Sequence, residues 1–495
     1  MISMTDAFFI EGGMRGLTFP EPSWARLGFP EPPDPVTSGE GVGIVILDKL
    51  DNPQHFRHLG SRLNKISVND DLSVSCSTFC YDHSPLTEFG HGDCVLQLLA
   101  QRPFEFQGKV HVGISPAATF YLLDETDPLK IKKGLEWVVQ KKNEWNIKIV
   151  LNLSVPSPLT LFQPSFSDPL SQALLPVIES DLLVVAANGN SKAHINLHPI
   201  EFFTVGGFDD HGSHDPENYR DHPVVPFGLN GDGHFRPDVS APFDQLPVAM
   251  MEEELVYFSG SCGSSSLVAG VCAYMFSIFP ELDNETLKYL LTVSGFSLKE
   301  SENQAMTVHV QRAAELLKSA KLPVNKSSSI KINPGNCTIS SKNPIERTLA
   351  MTGQVHHHIL SRERLWELVH DESPLVCKNA ILALSQTTLH ADEKEEFWSL
   401  FHLATNQGEK NGIKERLLYA LLEQATSEDL DKWMELVKDE NIDAWLCLRL
   451  YLQKFYPSAP NMTHESKPDP SITAKESIRL MDWYQSLDSF NTNQR

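Results

Sequence analysis

Short apolar runs bounded by polar or turn residues alternate with segments of helical spacing along the first two thirds of the chain. The run GVGIVILD (41–48) is rich in β-branched residues and predicts a buried strand that ends in a carboxylate. Apolar residues at 131, 135, 138 and 139 have the three- and four-residue spacing of a helix over 128–143. Further strands are predicted at 118–124, 147–154, 181–190 and 202–207, and a further helix at 169–180.

Strands that alternate with helices are typical of an α/β fold with a mostly parallel sheet covered on both faces. In such sheets, ligands bind at the carboxyl ends of the strands. The predicted strands end in polar residues, at Asp48, at Asn152 to Ser154 and at Gly189 to Asn190. We therefore expect any chemistry to lie along this edge of the sheet.

The composition changes near residue 318. Residues 319–344 are polar and rich in turn residues, which predicts a linker, and residues 345–456 have helical spacing. Within the helical part, three segments resemble one another at intervals of one helix pair (370–384, 408–422 and 438–452). The repetition favours an all-α domain of HEAT-type helical repeats, an α-solenoid, over an irregular helical bundle.

The two ends of the chain have a different character. Residues 1–40 are rich in Pro and Gly and predict an extended lead-in. Residues 457–495 are polar and poor in aliphatic side chains, which predicts a disordered tail.

The net charge and the cysteine content of the chain argue against several classes of partner and site. The 495 residues include 41 basic and 64 acidic side chains, a formal net charge of −23, which argues against partners such as nucleic acid or anionic lipid. We find neither a signal-peptide pattern nor an apolar stretch of membrane-spanning length, so no membrane association is expected. The eight cysteines are scattered without disulfide or zinc spacing, which indicates a reducing, cytoplasmic setting and predicts no metal or cofactor.

Seven segments stand in the order of the motifs of one enzyme family. They are GVGIVILD (41–48), FGHGDCVLQLLA (89–100), GISPAATFYLLD (113–124), GLEWVV (134–139), LLVVAANGN (182–190), FRPDVSAP (235–242) and GSCGSSSLVAG (260–270). Together they resemble the subtilases, the subtilisin-like serine peptidases. The resemblance implies a subtilisin-like peptidase domain over 41–318.

The resemblance also implies roles for particular residues. Asp48 and His91 match the catalytic aspartate and histidine, and Asn190 matches the asparagine of the oxyanion hole. With Val268, Ala269 and Gly270 aligned, the nucleophile position falls on Cys262, where the family has serine. A cysteine at a helix start near a histidine is favoured as thiolate by the helix dipole and by the imidazolium charge.

Alternatives remain open for three of these positions. Ser261 is a second candidate nucleophile, one position away from the aligned site, and Asn188 can exchange roles with Asn190. Ser154 is a candidate for the substrate groove, and a strand-end hydroxyl without a role is an equal interpretation.

Several departures from the family pattern bear on the expected activity more than on the expected fold. Ser266 and Leu267 replace the usual proline and histidine after the nucleophile, and Asp93 and Cys94 replace the threonine and histidine after His91. The sequence favours an endopeptidase that cuts protein or peptide bonds with an Asp/His/Cys triad and recognises a substrate or protein partner through residues 345–456. The alternative is a catalytically inactive pseudopeptidase that acts as a peptide-binding scaffold or sensor.

Overall fold

The computed structural model describes residues 20–81, 89–154, 169–180, 182–190, 198, 201–229, 235–251, 254–299, 301, 303, 305–318, 338–342, 347–348, 350–351, 360–385, 387–407, 413–438, 442–460, 462 and 470–492. The chain divides into two compact units. The first comprises Met1–Asn190 and Ile195–Asn333, and the second comprises Ser191–His194 and Pro334–Arg495. Most of the linker predicted over 319–344 lies outside the described residues.

The first unit is built on strands that follow the predicted apolar runs. In chain order they are β1 (Val42–Ile46), β2 (Leu63–Val68), β3 (Val74–Thr78), β4 (Phe104–Phe106), β5 (Lys109–His111), β6 (Thr119–Leu123), β7 (Lys148–Leu153), β8 (Leu183–Ala187), β9 (Phe203–Asp209), β10 (Arg220–Asp221), β11 (Gly228–Leu229), β12 (Phe235–Arg236), β13 (Val239–Pro242), β14 (Leu246–Met251), β15 (Glu254–Phe258) and β16 (Met306–Thr307).

Ten of the described strands form one twisted sheet. Its order is β16-β13-β9-β8-β7-β1-β6-β2-β3, with β10 paired to β9. Neighbouring strands are parallel except for the β2–β3 and β9–β10 pairs. Strands β1, β6, β7 and β8 lie side by side, so their carboxyl ends meet at one edge of the sheet. Three antiparallel hairpins (β4–β5, β11–β12 and β14–β15) lie outside this sheet.

Helices cover both faces of the sheet. They are α1 (Ser23–Arg26), α2 (His91–Ala100), α3 (Pro128–Trp145), α4 (Pro169–Ala173), α5 (Leu175–Glu179), α6 (Ser261–Ile278), α7 (Asn284–Ser294) and α8 (Val310–Lys318). Successive residues of β1 enter opposite cores, since Ile44 packs with α2 and α6 and Val45 packs with α3 and α5. The predicted α/β fold with a mostly parallel, doubly covered sheet is confirmed.

Helix α6 is the central element of one of these cores. By length and apolar composition alone it could cross a membrane, but most of it is buried inside the unit. Apolar residues all around a helix are typical of a helix enclosed by other elements. Helix α6 is therefore a core helix, and its first turn lies at the edge of the sheet.

The lead-in predicted over 1–40 contains a short helix and core residues in the part that the structure describes. Residues Ser23–Arg26 form helix α1, and Leu27 is fully buried in the core. The Arg26 guanidinium is also buried, and its Nε and Nη2 donate to the two carboxylate oxygens of Asp210 at 2.6 and 2.7 Å. A long-range ion pair of this kind depends on tertiary contacts, and these cannot be predicted from the local Pro and Gly content.

The second unit is all-α within the described residues, as predicted. Its helices are α9 (Arg362–Val369), α10 (Pro374–Ser385), α11 (Ala391–Gln407), α12 (Ile413–Glu423), α13 (Leu430–Glu435), α14 (Ile442–Phe455) and α15 (Pro470–Thr492). The Trp433 ring lies against Trp398 of α11 and against Tyr451 of α14, with centroids 5.3 and 5.0 Å apart. These ring contacts join α13 to α11 and to α14.

The predicted disordered tail over 457–495 is wrong for residues 470–492, which form helix α15. Leu480 is buried, and the Trp483 ring meets Tyr456 with centroids 5.9 Å apart. Tyr484 Oη donates to Asp431 Oδ1 at 2.6 Å. The low average hydrophobicity of the segment conceals a few apolar residues at helical spacing, and these are enough to dock it.

Candidate active site

Three separate segments deliver the predicted triad to one edge of the sheet. Asp48 stands two residues beyond β1, His91 is the first residue of α2, and Cys262 is the second residue of α6. Both helices pack in the same core against the sheet. The structure therefore brings together side chains that are 43 and 171 residues apart in the chain.

Asp48 and His91 form a direct pair. His91 Nδ1 donates to Asp48 Oδ2 at 2.7 Å, and the two side chains are 23% and 14% exposed. This contact fixes the ring so that Nε2 is the nitrogen that faces away from Asp48. Burial opposes protonation of the ring, but hydrogen bonds to Asp48 and Cys262 and the charges of both outweigh it and raise the pKa of His91 to about 10. The imidazole is thus charged at neutral pH.

Cys262 lies close enough to the His91 ring to contribute to the raised pKa of His91. Its side chain is partly exposed at the start of α6, and its Sγ donates to the backbone oxygen of Ser154 at 3.3 Å. The thiol therefore sits between His91 and the end of β7. This is a position from which it can reach a ligand in solvent.

Ser261, the alternative nucleophile, faces the interior. It is fully buried, and its Oγ accepts a hydrogen bond from the Gly189 backbone N–H at 3.0 Å. The hydroxyl thus ties the loop after β8 to the start of α6. Its burial favours Cys262 as the reactive group.

Asn190 lies at the N-terminus of α6. Its Oδ1 accepts from the Ser261 backbone N–H at 2.8 Å, which directs the side-chain amide along the first turn of the helix. Gly260 has a φ of +134°, and a Cβ at that residue would lie 3.4 Å from Asn190 Nδ2. Glycine is favoured here by the positive φ, since a Cβ would make only an ordinary contact with the amide. Asn188, the alternative, is buried and donates through Nδ2 to the Pro226 carbonyl at 2.6 Å, away from this role.

Ser154 contributes its backbone rather than its hydroxyl to the contact with Cys262. Its Oγ accepts from Asn152 Nδ2 at 2.9 Å, and the same Nδ2 lies 3.4 Å from Ser266 Oγ. The hydroxyls of Ser265 and Ser266 both donate to the Cys262 carbonyl, at 3.0 and 2.7 Å. The carboxyl end of β7 and the first turn of α6 are therefore joined by buried hydrogen bonds.

Two residues at the site were not predicted from the sequence. The Phe258 ring stands edge-on to the His91 ring, with centroids 5.6 Å apart. Asp93 is buried in the first turn of α2 and accepts from the backbone N–H groups of Gly90 and Asn52. The position of Phe258 depends on the pairing of β14 with β15, for which the sequence carries no signal. For Asp93 the sequence does carry a signal, because an acidic residue three positions after the N-cap residue of a helix is typical of a helix N-terminus.

Burial raises the pKa of Asp93, although hydrogen bonds from Gly90 and Asn52 oppose the shift. Among the described residues, no group of three or more His, Cys, Asp or Glu side chains is arranged to hold a metal ion. The described side chains that meet at the site supply a thiol, an imidazole, carboxylates and an amide.

Comparison with known proteins gives similarity at the level of structures. No family model matches the chain. The protease domain of PatA is 18% identical over 57% of this chain and 98% of its own, with a TM-score of 0.42. The Clostridium perfringens CspB protease is 14% identical over 57% and 96%, with a TM-score of 0.45. A cold-adapted subtilisin-like serine proteinase is 18% identical over 58% and 97%, with a TM-score of 0.40.

All three similar proteins are proteases by name, and the similarity extends over almost their whole length. At these identities and scores it carries no information about the activity of this chain. Any assignment of activity has to be supported by the geometry around Cys262.

Proposed function

We propose that the chain is a subtilisin-like endopeptidase that hydrolyses protein or peptide bonds with Cys262 as nucleophile. The observation that carries this proposal is the placement of the His91 ring between the Asp48 carboxylate and the Cys262 thiol. Nδ1 is bound to Asp48 at 2.7 Å, and Cys262 and Asp48 together raise the pKa of His91 to about 10 against the opposing effect of burial. A charged imidazole next to a thiol favours the thiolate, which is the reactive form.

In the first half of the reaction, the thiolate attacks the carbonyl carbon of the scissile bond and forms a C–S bond. The carbonyl electron pair moves onto oxygen, where the Asn190 side-chain amide and the Cys262 backbone N–H donate hydrogen bonds. When the tetrahedral intermediate collapses, the C–N bond breaks and His91 Nε2 gives its proton to the leaving amine. A thioester on Cys262 remains.

In the second half, water attacks the thioester while the now neutral His91 accepts a proton from it. The C–S bond breaks, the carboxylic acid leaves, and the thiolate and imidazolium are restored. Asp48 orients the ring throughout by its contact with Nδ1. A free catalytic thiol needs reducing surroundings, and we propose the cytoplasm as the setting.

The second unit is the proposed recognition domain. Stacked helix pairs offer extended surfaces for binding a protein, so residues 345–456 would select a substrate or a partner. A chain that lacks residues 345–495 should then retain Cys262 reactivity but lose its choice of substrate. Unchanged substrate selection by the shortened chain would contradict this role.

A peptide-binding scaffold without hydrolysis is the second candidate. The observation in its favour is the 3.3 Å contact between Cys262 Sγ and the Ser154 carbonyl oxygen, which a thiol can make as a hydrogen-bond donor and a thiolate cannot. The two candidates differ in the state of the thiol at neutral pH.

Labelling of Cys262 by iodoacetamide as a function of pH separates the two candidates. We expect rapid labelling well below the ordinary thiol pKa of about 8.5, and a return to ordinary thiol behaviour in His91→Ala. Cys80 is an exposed free cysteine, and Cys80→Ala is the matched control that should leave the profile unchanged. Labelling of Cys262 that follows an ordinary thiol in the parent would favour the scaffold. A Cys262→Ser variant that cuts faster than the parent would show that the site is built for serine.

A further inference from the structure

A buried carboxylate lies beside the Asp48–His91 pair without belonging to it. Asp93 is the third residue of α2 and is fully buried. Its Oδ2 accepts from Gly90 N at 2.8 Å and from Asn52 Nδ2 at 3.2 Å, and both of its oxygens lie 3.2 Å from Asn52 N. We infer that Asp93 is a positioning residue, whose carboxylate holds His91 against Asp48 by joining Asn52 to Gly90. The inference rests on the proposed function of the site.

The two residues that Asp93 joins flank the pair in the chain. Asn52 follows Asp48 by four residues, and Gly90 directly precedes His91. The carboxylate therefore makes a second bridge between the same two segments that the His91–Asp48 hydrogen bond connects. One hydrogen bond alone leaves the helix start free to pivot about it, whereas two bridges fix its separation and its rotation.

The backbone confirms how closely these segments approach. A Cβ at Gly92 would lie only 2.1 Å from the Lys49 carbonyl oxygen and 3.1 Å from Asp48 Oδ1. The first turn of α2 thus rests directly on the chain that follows β1. A shift of either segment would change the distance between Asp48 and His91 at once.

The chemistry of the site requires a carboxylate at this position. Asp93 faces three N–H donors, and an ionised carboxylate is a pure acceptor with lone pairs for all of them. Asparagine has the same size, but its NH₂ group is itself a donor and cannot accept a hydrogen bond from the N–H group that it would face. The first turn of a helix also favours a negative charge through the helix dipole. Asp93→Asn therefore removes the bridge with the least change in volume.

The test compares Asp93→Asn, His91→Ala and the double variant with the parent. Asp127→Asn is the matched control, because Asp127 caps α3 by accepting from Leu129 N at 2.9 Å, in another part of the unit. One readout is the proton NMR signal of the His91 Nδ1–H that is hydrogen-bonded to Asp48. The other is the rate of Cys262 alkylation at neutral pH, with circular dichroism as a check of folding.

We expect Asp93→Asn to broaden or shift the Nδ1–H signal and to slow alkylation by about 10- to 100-fold, as displacement of a positioned group does. In the His91→Ala background, Asp93→Asn should have no additional effect, because it acts through the ring. Asp127→Asn should resemble the parent in both readouts. A folded Asp93→Asn protein with an unchanged Nδ1–H signal, or additive losses in the double variant, would overturn the inference.

The two readouts also separate this inference from the proposed function. If His91→Ala alkylates as fast as the parent, the thiol–imidazole chemistry fails. The NMR signal then still decides whether Asp93 positions His91. If Asp93→Asn unfolds the protein, Asp93→Thr, which retains one acceptor, is compared in its place by the same two readouts. An unchanged Nδ1–H signal in folded Asp93→Thr overturns the inference.

Discussion

The protonation state of His91 determines what each residue of the site can do. Asp48 binds Nδ1, so in the proposed reaction the ring presents Nε2, and a proton on Nε2 would be available to a leaving amine from the start. A serine nucleophile would need a neutral histidine to remove its proton, whereas a thiolate needs none. A high pKa at His91 therefore suits cysteine better than serine.

The pKa of His91 has a consequence for stability. Burial disfavours the charged ring, but hydrogen bonds and charges from Asp48 and Cys262 raise its pKa from 6.5 to about 10. Because the folded-state pKa lies above the unfolded value, the protonated ring stabilises the fold fully below pH 6.5, and this contribution is lost as the pH rises through about 10. We expect the difference in unfolding free energy between the parent and His91→Ala to shrink over this range in urea titrations. A difference that stays constant or grows with pH would contradict the shift.

Asn190 should act only on the transition state. Removing one oxyanion donor typically lowers kcat by about 100- to 1,000-fold. We therefore expect Asn190→Ala to lose kcat in this range with KM little changed, measured on any peptide that the parent cleaves. Asn188→Ala is a less suitable control, because Asn188 is buried and bound to the Pro226 carbonyl. Cys80→Ala serves instead, and an Asn190→Ala enzyme as fast as that control would remove Asn190 from the oxyanion hole.

At the residue scale, sequence reasoning found the positions that stand at strand and helix ends. Asp48 and Asn190 follow apolar strands, and His91 and Cys262 open helices, so their placement at one edge of the sheet could be predicted from the local pattern, while their catalytic roles stay predictions. The choice between Cys262 and Ser261 depends on which side chain is buried by the rotation of α6, and this is a tertiary property. Phe258 depends in the same way on the pairing of a distant hairpin.

At the scale of elements, the site depends on how closely α2 approaches the chain after β1. A methyl group at Gly92 would collide with the Lys49 backbone oxygen, 2.1 Å away, and backbone cannot yield as a side chain can. We expect Gly92→Ala to push α2 away and to lower Cys262 alkylation to the level of His91→Ala.

Gly134→Ala is the matched control for that substitution. Gly134 is also helical, but a Cβ there would meet the end of the Leu123 side chain at 2.8 Å, which can rotate away. Its alkylation rate should equal that of the parent, and thermal melting reports any cost in stability. Normal alkylation of Gly92→Ala would show that the close approach is not needed.

The elements that sequence predicted well are those with strong periodicity. The buried strands β1, β7 and β8 and helix α3 lie within a few residues of their predicted bounds. The helix predicted over 169–180 is interrupted, since α4 ends at Ala173 and α5 begins at Leu175 with Pro176 in its first turn. Proline is tolerated only at the start of a helix, so a new helix begins there. Such a break cannot be predicted from the pattern of apolar residues alone.

At the scale of the whole molecule, residues far apart in sequence hold the first unit together. Arg26 donates to both carboxylate oxygens of Asp210 and also to the backbone oxygens of Asp244 and Gln245, at 2.8 and 3.1 Å. The segment that looked like a lead-in is therefore part of the folded unit. The composition of a short segment could not predict this, because the partners of Arg26 lie 184 to 219 residues away.

Removing Arg26 should destabilise the first unit strongly. Arg26→Ala leaves the buried Asp210 carboxylate without its cation, and breaking a buried ion pair in this way costs about 3–5 kcal/mol. Lys109→Ala removes a partly exposed ion pair with Glu21, and such pairs contribute only about 0–1 kcal/mol. Unfolding by urea should rank the two variants in this order. Equal loss in both would contradict the assignment of Arg26 to the core.

We propose that the thiol of Cys262 cuts peptide bonds. The most direct test of this proposal is to incubate the parent, Cys262→Ala and Cys80→Ala with a denatured proteome and to identify the new protein N-termini by mass spectrometry. We predict new termini with the parent and Cys80→Ala, and background only with Cys262→Ala. The same termini from all three proteins, or none from the parent under reducing conditions, would contradict the claim.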